Sequence, residues 1–160
     1  MTKLTWAFAC IIAIAFAPAI SKAGVIVEAS LGRGAQVSPS VDDKWGPVNI
    51  MIAPGLSIGQ MLRAELGVVM DMPQDNSDTN MRLRPMLVVS PPLLPVYGRL
   101  ILGVGNLLEG PRSIEYGGAL GVGASLAGIG VFAEAGVIPQ RVDGESYVIL
   151  EGRVGAFYIF

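Results

Sequence analysis

Residues able to do chemistry are few, and they are of two kinds. Glu28, Glu65, Asp71, Glu115, Glu134 and Glu151 are the acids that fall inside apolar runs, and Arg63, Arg82, Arg84, Arg99 and Arg153 are the bases. Paired carboxylates suggest a hydrolase, with one group as acid and the other as base. Here each acid has an arginine candidate, which favours the ionised carboxylate and so disfavours a proton donor. The chemistry that suits this mixture better is an ion-pair network, in which buried charges are tolerable only because each has a partner. A structural plug is the favoured form of it. The competing form is a gate or narrow polar path whose pairs exchange partners, as charged rings do in selective pores.

Other chemistries fall away. The chain has no histidine and one cysteine, Cys10, so imidazole and thiol catalysis have no residues to use. Asp75, Asn76, Ser77, Asp78, Thr79 and Asn80 are calcium-ligand types but lack the central Gly and terminal Glu of a calcium loop, and read as a solvated loop. Gly103-Val104-Gly105 and Gly121-Val122-Gly123 begin like phosphate-binding turns without their later Gly or Lys, and read as strand glycines. No catalytic residue, metal site or cofactor is assigned. Net charge is −2, with 11 Lys and Arg against 13 Asp and Glu, which leaves no basic footprint for nucleic acid.

The elements that must position these charges are read from spacing. Mostly apolar runs cover 25–36, 48–59, 61–72, 81–91, 95–107, 114–126, 130–140 and 147–160. The links at 37–47, 73–80, 108–113 and 141–146 are polar, whereas those at 60, 92–94 and 127–129 are tight and uncharged. This alternation predicts an up-and-down meander with longer loops at one end, the pattern of transmembrane barrels. Within the runs, charges keep to one parity: Arg63, Glu65 and Asp71; Arg82 and Arg84; Glu151 and Arg153. The same parity carries Ser30, Gly32, Asn49, Ala53, Ser57, Gly117, Gly121, Gly123 and Gly136, and the opposite one carries residues such as Val27, Ile52, Leu66, Leu87, Leu102 and Leu120. Period-2 alternation of this kind is a strand property. One face is lipid-like and the other polar. With 52% hydrophobic and only 15% charged residues, a soluble barrel with a charged exterior is excluded. Arg33 and Arg141 break the parity, but at strand ends, where headgroups would receive them; Trp45 reads as an interfacial anchor. A helical reading of 117–138 fails on its glycines, each costing a helix about 1 kcal/mol relative to Ala. In a narrow barrel those glycines leave room for bulky lumen side chains, such as arginines, opposite.

Residues 1–23 have a Lys3-containing start, an apolar core from Trp6 to Ala17, and a Ser21-Lys22-Ala23 exit, which predicts a cleaved secretory signal peptide. The core is far shorter than the roughly 20 residues of a spanning helix. Cys10 lies within it as filler. Residues 24–160 form the barrel.

The chain closes on Val154, Ala156, Tyr158 and Phe160 at alternate positions. This resembles the C-terminal signature of bacterial outer-membrane barrels, which their assembly machinery reads. With the leader and eight runs, the chain resembles the small eight-stranded barrels of the outer membrane protein A transmembrane-domain and outer membrane protein X type. That resemblance implies an all-β, eight-stranded, antiparallel, up-and-down transmembrane β-barrel of a Gram-negative outer membrane, with periplasmic termini and the loops near 42, 76, 110 and 143 facing out. It implies outer-membrane lipid and the assembly machinery as partners. It names no extracellular partner. Enzymatic barrels resembling the lipid A acyltransferase, lipid A deacylase or barrel protease families rely on a histidine, which this chain lacks. The implied role is therefore non-enzymatic, structural or interactive, with an ion or small-solute channel as the alternative. Aromatic residues make up only 7%, so interfacial girdles should be thin.

Overall fold

The computed structural model describes residues 23–39, 45–59, 61–72, 79–91, 94–108 and 110–160. Residues 1–22 of the predicted leader, Cys10 among them, and residues 75–78 of the calcium-like run lie outside them, whereas Ala23, the last residue of the predicted leader, opens the first strand. The elements are β1 (Ala23–Ser38), β2 (Trp45–Ile58), β3 (Leu62–Asp71), β4 (Met81–Val89), β5 (Val96–Gly105), β6 (Ser113–Leu126), β7 (Ile129–Val142) and β8 (Glu145–Ile159). Each predicted run falls on one strand. Every strand pairs antiparallel with its neighbour in sequence, and β8 returns to β1, with Ala156 opposite Ala29, to close the barrel. Closure satisfies the backbone groups that an edge would leave open.

The termini and the turns after β2, β4 and β6 lie at one end, called here the terminal end. The connections after β1, β3, β5 and β7 lie at the other, the loop end. One link differs from expectation. Residues 141–146 are not a loop: β7 and β8 extend through it, joined by Asp143 and Gly144 alone, with φ of 49° and 86°. Ala127 and Gly128 make the same kind of turn at the opposite end, with φ of 51° and 86°. Two successive positive-φ residues twist in the sense of the flanking strands, so the hairpin closes tightly and the strands run on.

Alternation along the strands is the predicted one. The charged parity points inward, and the outward face carries Ile52, Leu56, Leu100, Leu102, Ile114, Leu120, Val122, Leu126 and Val154, all more than half exposed. Exposed apolar residues on this scale would be a liability in water and are ordinary against lipid. The interior, however, is not the uniformly polar face expected. Met51, Ala53, Val69, Met86, Ile101, Ala119 and Ile138 form a buried apolar cluster inside it, and Val88, Tyr97 and Phe132, with Phe157 packed against them, form a second. An eight-stranded interior is only wide enough for side chains to fill, so any space not taken by ion pairs is filled by apolar groups.

Candidate functional site

The lumen is the candidate site, because every acid and arginine of the predicted ion-pair network projects into it. Strand geometry dictates this: Arg82 and Arg84 on β4, or Glu151 and Arg153 on β8, are two residues apart and share a face. The charges divide into two layers.

In the layer nearer the loop end, Arg84 lies at the centre. Its Nε donates to Glu115 Oε2 at 2.7 Å, and its Nη1 and Nη2 donate to Glu151 at 2.8 and 3.1 Å. Arg84 is 1% exposed, so both pairs are shielded from water. Arg82 pairs with Asp71 and lies 3.5 Å from Glu115. Arg153 donates to Glu151 at 2.7 Å, to Asn49 at 2.7 Å and to Ser30 at 3.1 Å. Three acids meet three arginines here, and the polar Asn49 and Ser30 satisfy donors that the carboxylates do not reach.

In the layer nearer the terminal end, Arg99 is the hub. Its Nη1 and Nη2 clamp Glu28 at 3.0 and 2.7 Å, a two-point arrangement suited to the planar fork of arginine. Nη1 is also 3.5 Å from Glu65 and 3.2 Å from the Met86 sulfur. Glu134 lies 3.0 Å from Arg99 Nε and accepts the Tyr97 hydroxyl at 2.7 Å. Arg63 is 3.5 Å from Glu65. Among the described residues one contact joins the layers, Arg153 Nε to Glu134 at 3.9 Å.

Apolar groups lie between and below these layers. Along β3, Val69 separates Asp71 from Glu65; on β4, Met86 follows Arg84; on β5, Ile101 follows the hub on its loop-end side. Towards the terminal end the arginines rest on aromatic rings. Arg63 is 4.8 Å from the Phe157 ring centroid, and Arg99 is 5.5 Å from that of Phe132. Tyr97 packs edge-on to Phe132 at 6.1 Å. Cation–ring attraction of this kind adds about 0.5–2 kcal/mol per contact when desolvated.

All of Glu28, Arg63, Glu65, Asp71, Arg82, Arg84, Arg99, Glu115, Glu134, Glu151 and Arg153 are brought together in ion pairs. Sequence reasoning missed Tyr97, Phe132 and Phe157, which sit on the charged parity of their strands. That parity was the available signal. Of the glycines in 117–136, Gly121 and Gly130 make room for the Tyr97 and Phe157 rings and none for an arginine; the glycines that accommodate arginines lie on other strands. A Cβ at Gly32 would lie 2.9 Å from the Arg153 guanidinium, one at Gly103 would lie 3.2 Å from Arg84, and one at Gly121 would fall on the Tyr97 ring.

The parity breakers behave as surface groups. Arg33 donates from Nε to Gly46 O at 3.0 Å and lies 5.4 Å from the Trp45 ring, at the loop end of β1 and β2. Arg141 is exposed one residue before the end of β7. Val154, Ala156, Tyr158 and Phe160 point outward, the last two edge to face at 4.6 Å, and the Phe160 N–H donates to Val25 O at 2.9 Å. No group of acids among the described residues is arranged to hold a metal ion.

No family model and no curated protein matches the chain. Among solved structures, the chain is similar to the crystal structure of Neisserial surface protein A, with a TM-score of 0.57 at 16% identity, over 88% of this chain and 100% of that one. At that identity the likeness is one of fold: a closed β-barrel is reached by two sequences that share few residues.

Proposed function

We propose that this chain is an exported, non-enzymatic barrel of a bacterial outer membrane, closed to ions, whose role is structural or one of surface interaction at the loop end. The single observation that carries the reading is the lumen: two ion-pair layers separated by apolar side chains and floored by aromatic rings. Each layer on its own is costly to unpack, because removing one partner strands a buried charge. The apolar groups between them give a permeating ion nothing to replace its water with. The outward apolar face supports membrane residence, and the similar structure, that of a surface protein, agrees with display from a membrane. Outer-membrane lipid would contact Trp45 and Arg33 at the loop end. Val154, Ala156, Tyr158 and Phe160, outward on the last strand, would be read by the barrel-assembly machinery.

The alternative is a narrow ion or small-solute path gated by the lumen pairs. It draws support from shared partners: Glu115 lies between Arg82 and Arg84, and Glu151 between Arg84 and Arg153, so an exchange needs little movement. Planar-bilayer recording on folded 24–160 separates the two. Silence in the parent chain and in Arg84→Ala, with the boiled and unboiled forms still differing in gel mobility, is the expected result. Single-channel steps in the parent that change size in Arg84→Ala or Glu151→Ala would overturn the closed barrel in favour of the gate.

A further inference from the structure

The two lumen layers differ in charge balance. The layer nearer the loop end has Asp71, Glu115 and Glu151 against Arg82, Arg84 and Arg153, three of each sign. The layer nearer the terminal end has Glu28, Glu65 and Glu134 against Arg63 and Arg99, three acids and two bases. One negative charge is surplus, at a place where the side chains of Glu28, Glu65 and Arg99 are fully enclosed. An isolated buried carboxylate is among the costliest groups a fold can carry.

Geometry identifies the surplus group. Glu28 is clamped by two guanidinium nitrogens, and Glu134 accepts the Tyr97 hydroxyl and faces Arg99 Nε. Glu65 has only two contacts at 3.5 Å, to Arg63 Nε and Arg99 Nη1, and its Oε1 is enclosed without a hydrogen-bond donor. The groups facing it are known strand by strand. Glu28 comes from β1, Arg63 from β3 itself, Arg99 and Tyr97 from β5 and Glu134 from β7. Arg153 on β8 reaches only Glu134 and is already committed to Glu151, Asn49 and Ser30. On β2 and β4 the neighbours are Gly55 and Met86, and neither carries charge.

We propose that the lumen layer around Arg99 is balanced by one proton, held on Glu65, which makes the barrel interior a pH-sensitive lock. With Glu65 as the neutral acid, Arg63 and Arg99 match Glu28 and Glu134 one for one. An enclosed oxygen has room for a proton, whereas an alkali ion would need several ligands of its own. Loss of the proton as the pH rises returns the surplus charge beside Glu28 and Glu134 and loosens the layer from within. This goes beyond the closed-barrel reading and does not depend on it.

The experiment is to fold the mature chain, 24–160, into detergent and measure proton uptake with a pH indicator at pH 6, where the carboxylates of the unfolded chain are already almost all ionised. The parent takes up about one more proton per chain than Glu65→Gln, and Glu65→Gln flattens the fall in stability that the parent shows as the pH rises from mildly acid to neutral. Glu28→Gln, which removes the clamp on Arg99, lowers stability at acid pH, where Glu65 keeps its proton and the parent layer is balanced, and serves as the contrast. Infrared spectroscopy of the folded parent gives a second readout that needs no variant: a protonated-carboxyl band at pH 6 that is lost on raising the pH. Equal proton uptake by parent and Glu65→Gln would overturn the assignment, as would a parent spectrum with no such band. Stability that follows sodium concentration rather than pH would replace the proton by a bound cation and also overturn it.

Discussion

Replacing Arg84 by Ala should cost the folded barrel about 3–5 kcal/mol, the range for breaking a buried ion pair by removing one partner. Arg84 makes three short contacts, to Glu115 at 2.7 Å and to Glu151 at 2.8 and 3.1 Å, from a position that is 1% exposed. Without it the loop-end layer holds three carboxylates against two guanidinium groups. Glu151 keeps Arg153 at 2.7 Å, but Glu115 keeps only Arg82, at 3.5 Å. The effect should therefore fall at the lower end of the range, roughly a hundredfold in the unfolding equilibrium constant. Adding Glu115→Gln should recover part of the loss, because the acid left with the weaker partner is then neutral. Trp45 is the one tryptophan of residues 24–160 and lies at the loop end, so its fluorescence reports urea unfolding of the refolded chain in lipid vesicles. A loss below about 1 kcal/mol, the range of solvated pairs, would refute the claim that this layer excludes water.

Leu120, 78% exposed on the outward face of β6, should tolerate Arg in any water-exposed barrel but cost about 2–4 kcal/mol in a bilayer, read as reduced stability in vesicles relative to the parent. Gly155→Ala places a methyl against Ser30 Cβ, the Ala29 carbonyl and the Phe132 ring, all within 2.7 Å, and should cost about 1–3 kcal/mol in the same unfolding assay. Ala127, with φ of 51° in a two-residue turn, should gain about 0.5–1 kcal/mol on conversion to Asn, which visits the left-handed region more readily; an unchanged urea midpoint would count against the turn geometry. Folding of Glu65→Gln should take up about one proton fewer than that of the parent, as argued above.

Much of this architecture was legible because strand periodicity is a local property. The parity of Arg82 and Arg84, or of Glu151 and Arg153, tells which face each occupies without reference to any other strand. The closing strand could be placed beside the first only by assuming a barrel, yet the absence of any polar outward face made an open sheet in water untenable. Where reading failed, a local rule met a non-local demand. The 141–146 link looked like a loop because it is polar, but Asp143 and Gly144 adopt the paired positive φ of a tight hairpin and let polar residues continue as strand. Phe132 and Phe157 carry no charge to mark them, and only the narrow interior, which requires bulk beneath Arg63 and Arg99, gives them their place.

The amino-acid sequence by itself determined which side chains face inward, how many strands there are and that their outer surface is apolar, since each follows from residue type at a spacing of two. Only the tertiary structure decided who pairs with whom. Arg99 and Glu28 are 71 residues apart, and Arg84 and Glu151 are 67. Strand tilt and closure set the height at which each inward side chain enters the lumen, and that height sorts six acids and five arginines into one balanced layer and one with a surplus negative charge.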